Sequence, residues 1–256
     1  MFVDSHCHLT FPELAADLDA VLSRMRDNAV TRALSVSVTM DDFPQVLALA
    51  KRHPHIFGSV GVHPDYEDLP LVVPAEIARL ADHPKIIAIG ETGLDYYRLK
   101  GDLEWQRERF RNHIRAARLC GKPLIIHCRA AADDTLRILR EEGAEAVGGV
   151  MHCFTESWEV AQGAMDLGFY ISFSGIVTFK NAQALKDVAT KVPMERLLIE
   201  TDSPYLAPVP FRGKVNEPGL VVHVAQEIAQ LRALPLDRIA KETTNNFNQL
   251  FKVLQS

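Results

Sequence analysis

Long apolar runs are missing from this chain: no stretch reaches the roughly 18 residues that a membrane span requires. The opening Met1-Phe2-Val3-Asp4-Ser5 also has no basic segment leading into an apolar one. No membrane association is therefore expected, and the chain reads as cytoplasmic. Cysteine is sparse as well. Four cysteines in 256 residues, without a dense regular spacing, exclude a disulfide scaffold and predict reduced thiols. An excess of positive charge is lacking too, since 28 lysines and arginines face 33 aspartates and glutamates, for a formal net charge of -5. That balance excludes the broad basic footprint that grips duplex DNA over many phosphates, so a nucleic-acid substrate is expected to be held locally, by an end. With no repeat, no low-complexity tract and no shift of composition, residues 1–256 read as one domain.

What is present is an alternation. Short β-rich runs at 2–4, 33–38, 56–62, 86–90, 124–127, 147–152, 169–173 and 197–200 are separated by longer amphipathic stretches, the pattern of βαβ units around a parallel sheet. One such stretch covers 103–120, where Phe110, Ile114 and Ala117 recur at helical spacing. The tail from 217 to 253 reads as two helices parted near Pro235. Eight strands in a chain close to the roughly 250 residues of a (β/α)₈ barrel predict that fold.

In such a barrel the functional groups gather where strands end. The predicted strand ends carry His6-Cys7-His8, His63-Pro64, Glu91, His127, His152 and Glu200-Thr201-Asp202. Side chains alternate along a strand, so His6 and His8 share a face while Cys7 points into the core. The same parity is expected to turn Cys128 and Cys153 away from the face of His127 and His152. The other histidines, at 53, 55, 83, 113 and 223, fall in helices or connections and are expected to be surface or packing residues. Imidazoles His6, His8, His127 and His152 with carboxylates Glu91 and Asp202 exceed the needs of one tetrahedral ion, which implies two divalent cations. His6, His8 and Asp202 are expected to hold one and His127 and His152 the other, with Glu91 bridging. Nitrogen-rich ligation suits Zn, Mn, Fe or Co better than Mg.

The strings Asp4-Ser5-His6-Cys7-His8-Leu9, Gly61-Val62-His63-Pro64, Gly90-Glu91-Thr92-Gly93-Leu94-Asp95-Tyr96, His127-Cys128-Arg129, His152-Cys153-Phe154-Thr155 and Glu200-Thr201-Asp202-Ser203-Pro204-Tyr205 resemble those of the TatD family of metal-dependent deoxyribonucleases. The resemblance spans almost the whole chain. It implies an amidohydrolase-like (β/α) barrel, with His6, His8, Glu91, His127, His152 and Asp202 as metal ligands and a 3′ to 5′ exonuclease or related phosphodiesterase activity. Glu156 stands where the best-known nucleases of the family carry glycine. Pointing inward, it would repel a phosphate; pointing outward, it would cap the next helix.

Asp202 is expected to accept the proton of the attacking water, and Glu91 to act with it as the bridging carboxylate. Glu200 and Asp4 lie one step deeper on their strands, for an orienting role behind the ligands or a place in the barrel interior. His63 is expected to contact substrate or relay a proton and not to bind metal. Lys180, Arg212 and Lys214 follow strands seven and eight, where barrels often bind phosphate, and Arg129 adds a cation beside His127. The stretch Arg212-Gly213-Lys214-Val215-Asn216 resembles the family's Arg-Gly-Lys-x-Asn, which adds Asn216 to the expected substrate contacts. Asp95, Tyr96 and Phe154 are expected to line the pocket, the aromatics offering a face to a base. A metal pair polarises a carbonyl as readily as a phosphoryl oxygen, so a hydrolase of small amides, lactones or aminoacyl esters is the alternative. A non-catalytic metal-binding barrel is a third reading, and no obligate protein partner is expected.

Overall fold

The β-branched and aromatic runs of the sequence form eight parallel strands, each hydrogen-bonded to its neighbours in chain order. The computed structural model describes residues 1–253. The strands are β1 (Phe2–Cys7), β2 (Val30–Ser35), β3 (Ile56–Val60), β4 (Ile86–Asp95), β5 (Leu124–Arg129), β6 (Gly149–Met151), β7 (Phe169–Phe173) and β8 (Leu197–Ile199). Around them lie α1 (Pro12–Ala15), α2 (Leu18–Asp27), α3 (Phe43–Arg52), α4 (Pro74–Leu80), α5 (Glu104–Cys120), α6 (Ala132–Glu141), α7 (Trp158–Asp166), α8 (Gln183–Lys191), α9 (Val221–Leu231) and α10 (Leu236–Phe251). Pro235 caps α10 and separates it from α9, as the tail predicts. The fold is a nearly closed (β/α)₈ barrel, and no helix of the described residues is long and apolar enough to cross a membrane.

The seam between β8 and β1 is closed by the residues that follow β8. The Asp202 N–H donates to His6 O at 2.9 Å and the His8 N–H to Ser203 O at 2.8 Å. Below them the Thr201 N–H and hydroxyl donate to the two oxygens of buried Asp4, at 2.9 and 2.6 Å. Asp4 thus ties the last strand to the first and sets the height at which Asp202 leaves the sheet.

Two strand boundaries differ from expectation in a way that matters to the site. β4 does not end at Gly90 but runs on to Asp95, pairing Gly93 with His127 and Asp95 with Arg129 of β5. Gly93 has φ +139°, and a Cβ there would lie 2.0 Å from His127 O, so the glycine permits a close approach of β4 to β5 and does not break the strand. β6 is shorter than expected and stops at Met151. Side-chain alternation therefore lapses before His152 and Cys153. Cys153 takes φ +42° and lines the pocket described below, against the expectation that its thiol faces away, whereas Cys128, though it borders the pocket, packs its side chain against the core beside Thr135 of α6, as parity predicts. Cys7, inside β1, is buried as parity requires.

Candidate metal centre

At the C-terminal rim three groups of side chains each bring potential ligand atoms within 4.8 Å of one another: His6, His152 and Asp202; His6, His8 and Glu91; His63, Glu91 and His127. Glu91 is central. Its Oε1 lies 2.8 Å from His152 Nε2, 3.1 Å from His127 Nδ1 and 3.3 Å from His63 Nε2. Its Oε2 faces the other way, 3.3 Å from His6 Nε2 and 3.8 Å from His8 Nε2. Asp202 Oδ1 is 3.6 and 3.4 Å from the same two nitrogens. Asp202 holds φ +56°, the left-handed region that side chains other than glycine seldom occupy.

The far nitrogen of each ring fixes the state of the near one. His8 Nδ1–H donates to Val36 O at 3.2 Å, His152 Nδ1–H to Glu200 Oε1 at 3.2 Å and His127 Nε2–H to Asp95 Oδ2 at 3.1 Å. Each of these rings, in its neutral form, therefore turns a lone pair toward the centre. Glu200, buried and also accepting the Cys153 N–H at 2.6 Å, orients His152 from behind. His63 is wired oppositely: its Nδ1 accepts the Asp65 N–H at 3.2 Å, so the neutral ring carries its proton on Nε2, facing Glu91 and His127.

This wiring tests whether the cluster fits a metal. The His152 Nε2 lone pair lies 2.8 Å from a carboxylate oxygen and has no hydrogen-bond donor to meet it, and the buried Nδ1 of His6 is unpartnered as well. Lone pairs facing lone pairs repel unless positive charge, a proton or a metal cation, lies between them. Burial works against charge throughout, yet His152, His63 and His6 hold the Glu91 carboxyl well below its usual range. Against the same burial, Asp202 raises His8, Asp95 and Glu91 raise His127, and Glu91 and Glu200 lift His152 well above the ordinary imidazole value. Burial and the nearby His152 lower His6. A cluster with ionised carboxylates, inward lone pairs and a demand for positive charge fits divalent cations, which compete with protons for the same atoms.

Above the centre opens a cavity of about 780 Å³, lined by His8, His63, Glu91, Asp95, His127, His152 and Asp202 at its floor and by Phe11, Tyr66, Arg98, Arg129 and Tyr205 toward its mouth. Asp95 also accepts the backbone N–H groups of Tyr97 and Arg98, both at 2.9 Å. Burial opposes ionisation here too, but those bonds and His127 bring its carboxyl down to about 2.

A family model described as TatD related DNase matches residues 3–252. YcfH of Escherichia coli, an uncharacterized metal-dependent hydrolase, is 46% identical over 254 residues, covering 98% of this chain and 96% of its own. The chain belongs to the TatD family. Among solved structures, the TatD homologue YjjV of Escherichia coli superposes with a TM-score of 0.90 at 29% identity, over 99% of this chain and 98% of that one. The 3′-5′ ssDNA/RNA exonuclease TatD of Enterobacter lignolyticus is 33% identical over 256 residues, 98% of each chain. The protein is thus a metal-dependent hydrolase of the TatD family.

Several residues expected at the substrate lie elsewhere in this TatD barrel. The Tyr96 hydroxyl donates to Asp134 at 2.6 Å and accepts from Arg107 at 3.1 Å, which turns the ring toward α6. Phe154 is buried against Phe173, since the turn after β6 carries it under the barrel rim. Lys180 is exposed and Arg212 lies 3.7 Å over the Phe179 ring, while Lys214 sits 5.7 Å from the Phe211 ring; none lines the cavity. Asn216 is buried and donates to Thr201 O and Tyr205 O at 2.9 and 2.7 Å, so it shapes the loop that bears Asp202. Glu156 neither faces the cavity nor caps a helix. Its half-buried carboxyl accepts the Ala130 N–H, and Ser157 caps α7 by accepting the Val160 N–H at 3.4 Å. His113, expected to be surface or packing, is fully buried. Asp65, Tyr66 and Tyr205, missed in the sequence, immediately follow the His63-Pro64 and Ser203-Pro204 steps, and that adjacency was the available signal. Nothing in the sequence marks Phe11 or Arg98.

Proposed function

We propose that this protein is a phosphodiesterase that removes nucleotides from the 3′ ends of single-stranded nucleic acid, using water activated by two divalent cations. The observation that carries the reading is the opposed placement of the two Glu91 oxygens, one among His127 and His152 and the other between His6 and His8, beneath a cavity whose cations are Arg98 and Arg129. The Enterobacter lignolyticus relative named as a 3′-5′ ssDNA/RNA exonuclease supports the choice of substrate. His6, His8 and Asp202 would hold one cation and His127 and His152 the other, with Glu91 shared. Bound there, the pair would lower the pKa of water toward about 7 and offset charge on the phosphoryl oxygens.

The chain's own groups do the rest. Asp202 is the more open of the two central carboxylates, at 15% side-chain exposure against 3% for Glu91, and it accepts the proton of the attacking water. His63 offers an N–H to a phosphoryl or leaving oxygen. Arg98, tied to Asp65 at 2.9 Å, and Arg129, 4.0 Å from the Tyr97 ring, meet the phosphate next in line. Tyr66 and Tyr205, 39% and 52% exposed at the mouth, offer ring faces to bases.

The test uses metal-stripped protein reloaded singly with Mg, Mn, Zn, Co or Fe. It is offered single-stranded DNA and RNA with free or blocked 3′ ends, beside a panel of amides, lactones and aminoacyl esters. Release of mononucleotides that a 3′ block abolishes is the predicted result. Hydrolysis confined to the carbonyl substrates would replace this reading with an amide or ester hydrolase, and no hydrolysis with any metal would replace it with a metal-binding scaffold.

A further inference from the structure

Helix α5 carries most of its charge on the outside, yet Gln106, Arg109 and His113 are buried at 0%, 1% and 0% exposure. They lie at i, i+3 and i+7, one stripe along the helix. Burying a guanidinium is costly unless its donors are met. No carboxylate among the described residues pairs with Arg109. Its Nη1 donates instead to Tyr66 O at 2.6 Å and its Nη2 to Leu69 O at 2.5 Å, with the Trp105 ring 4.7 Å away. Gln106 Nε2 donates to Pro64 O at 3.2 Å while its Oε1 accepts the Asp95 N–H at 3.0 Å. His113 Nε2 accepts the Val62 N–H at 3.0 Å, and its Nδ1–H donates to Arg109 O at 2.8 Å.

All of these bonds but the last land on the loop after β3 or on the end of β4. Backbone groups of Val62, Pro64, Tyr66 and Leu69 are satisfied by side chains of one helix. Within the loop, the Tyr66 N–H reaches His63 O at 3.4 Å and the Leu69 N–H reaches Tyr66 O at 3.5 Å, both long. The bond that decides which nitrogen of His63 carries the proton, Asp65 N–H to Nδ1, lies between the carbonyls pinned by Gln106 and Arg109. Gln106 also holds the backbone of Asp95, whose carboxylate orients His127.

We propose that Gln106, Arg109 and His113 are positioning residues that hold the 62–69 loop in the shape by which His63 turns an N–H, and not a lone pair, into the pocket. The inference rests on the reading of His63 as a hydrogen-bond donor to substrate. It makes α5, which touches no substrate, part of the machinery that separates His63 from the metal-facing imidazoles.

The test has two arms. In the first, Gln106→Glu keeps the acceptor for the Asp95 N–H and removes the donor to Pro64 O, and Arg109→Lys keeps the charge while losing the two-pronged grip. Each is made alone and together with His63→Ala, and kcat is measured on whichever substrate of the panel is hydrolysed. Alone, each should lower kcat by about tenfold to a hundredfold with KM little changed, the scale of a misplacement of about 1 Å. In the His63→Ala chain the further loss should be less than about twofold, because the two substitutions act through one group. Equal losses in both backgrounds would overturn the proposal. The second arm needs neither variant nor substrate: imidazole ¹⁵N shifts of the unsubstituted, metal-free chain under mildly alkaline conditions. A His63 ring protonated at Nε2 is the predicted result, and one protonated at Nδ1 overturns the proposal even if every variant misfolds. Should the panel yield no hydrolysis, the functional reading fails while this arm still decides the state of His63 that the loop is proposed to set.

Discussion

Acidification should destabilise the metal-free barrel through His113 in particular. Its ring is fully buried, and Nε2 must stay unprotonated to accept the Val62 N–H at 3.0 Å. Burial is the main cause that depresses its pKa from 6.5 to about 4 in the folded chain, with Arg109 adding repulsion. Between those values the unfolded chain binds more protons than the folded one, so stability rises with pH. The contribution is complete above 6.5 and drains away as pH falls toward about 4. Integrated down to about pH 4.5, the difference amounts to about 2.5 kcal/mol. His113→Gln retains an acceptor for Val62 but does not titrate. Urea unfolding of both proteins in chelator, from about pH 8 to about pH 4.5, cancels the protonation of the metal cluster by difference. The unsubstituted chain should be the more stable by about 1 kcal/mol at the alkaline end. Its margin should shrink and reverse by about 2.5 kcal/mol across the range. A margin independent of pH would show that His113 does not titrate differently in the folded and unfolded chains.

Three further substitutions probe the centre. Asp202→Asn should lower turnover at least about a hundredfold without moving the melting temperature appreciably; near-normal turnover at saturating metal would remove Asp202 from the proton step. Glu200→Gln, which weakens the acceptor behind His152, should reduce metal affinity by about 10- to 100-fold in a fluorescence or calorimetric titration, and an unchanged affinity would make Glu200 a barrel-interior residue only. Gly93→Ala forces a Cβ to within 2.0 Å of His127 O at φ +139°, and should cost more than about 2 kcal/mol in unfolding free energy. A variant of unaltered stability would show that β4 and β5 can part at that point.

The barrel was legible because alternation of strand and helix patterns is a property of the whole chain, and β7 falls at residues 169–173 as predicted. The convergence of His6, His8, Glu91, His127, His152 and Asp202 followed from one rule, that strand ends of a parallel barrel share a rim. Parity was sound for Cys7, inside a strand, and failed for Cys153, where β6 has already ended. The strand expected at 86–90 runs on to Asp95, because glycines there permit β4 to pass close to β5. Lys180 is expected near substrate from loop position, and Arg212 and Lys214 from loop position together with the Arg-Gly-Lys-x-Asn resemblance, but whether a loop folds inward depends on tertiary contacts such as Arg212 on Phe179. The stripe on α5 was invisible for a related reason: an arginine in an amphipathic helix looks like an exposed one until its carbonyl partners are known.

The proposed hydrolysis depends above all on a rim that holds a pair of cations through a shared Glu91. Equilibrium dialysis of chelator-stripped protein against Mn or Zn, followed by elemental analysis, tests this pairing most directly. About two ions per chain are expected, falling to one or fewer in Glu91→Gln. One ion in the unsubstituted protein, or a stoichiometry that Glu91→Gln leaves unmoved, would contradict the pairing.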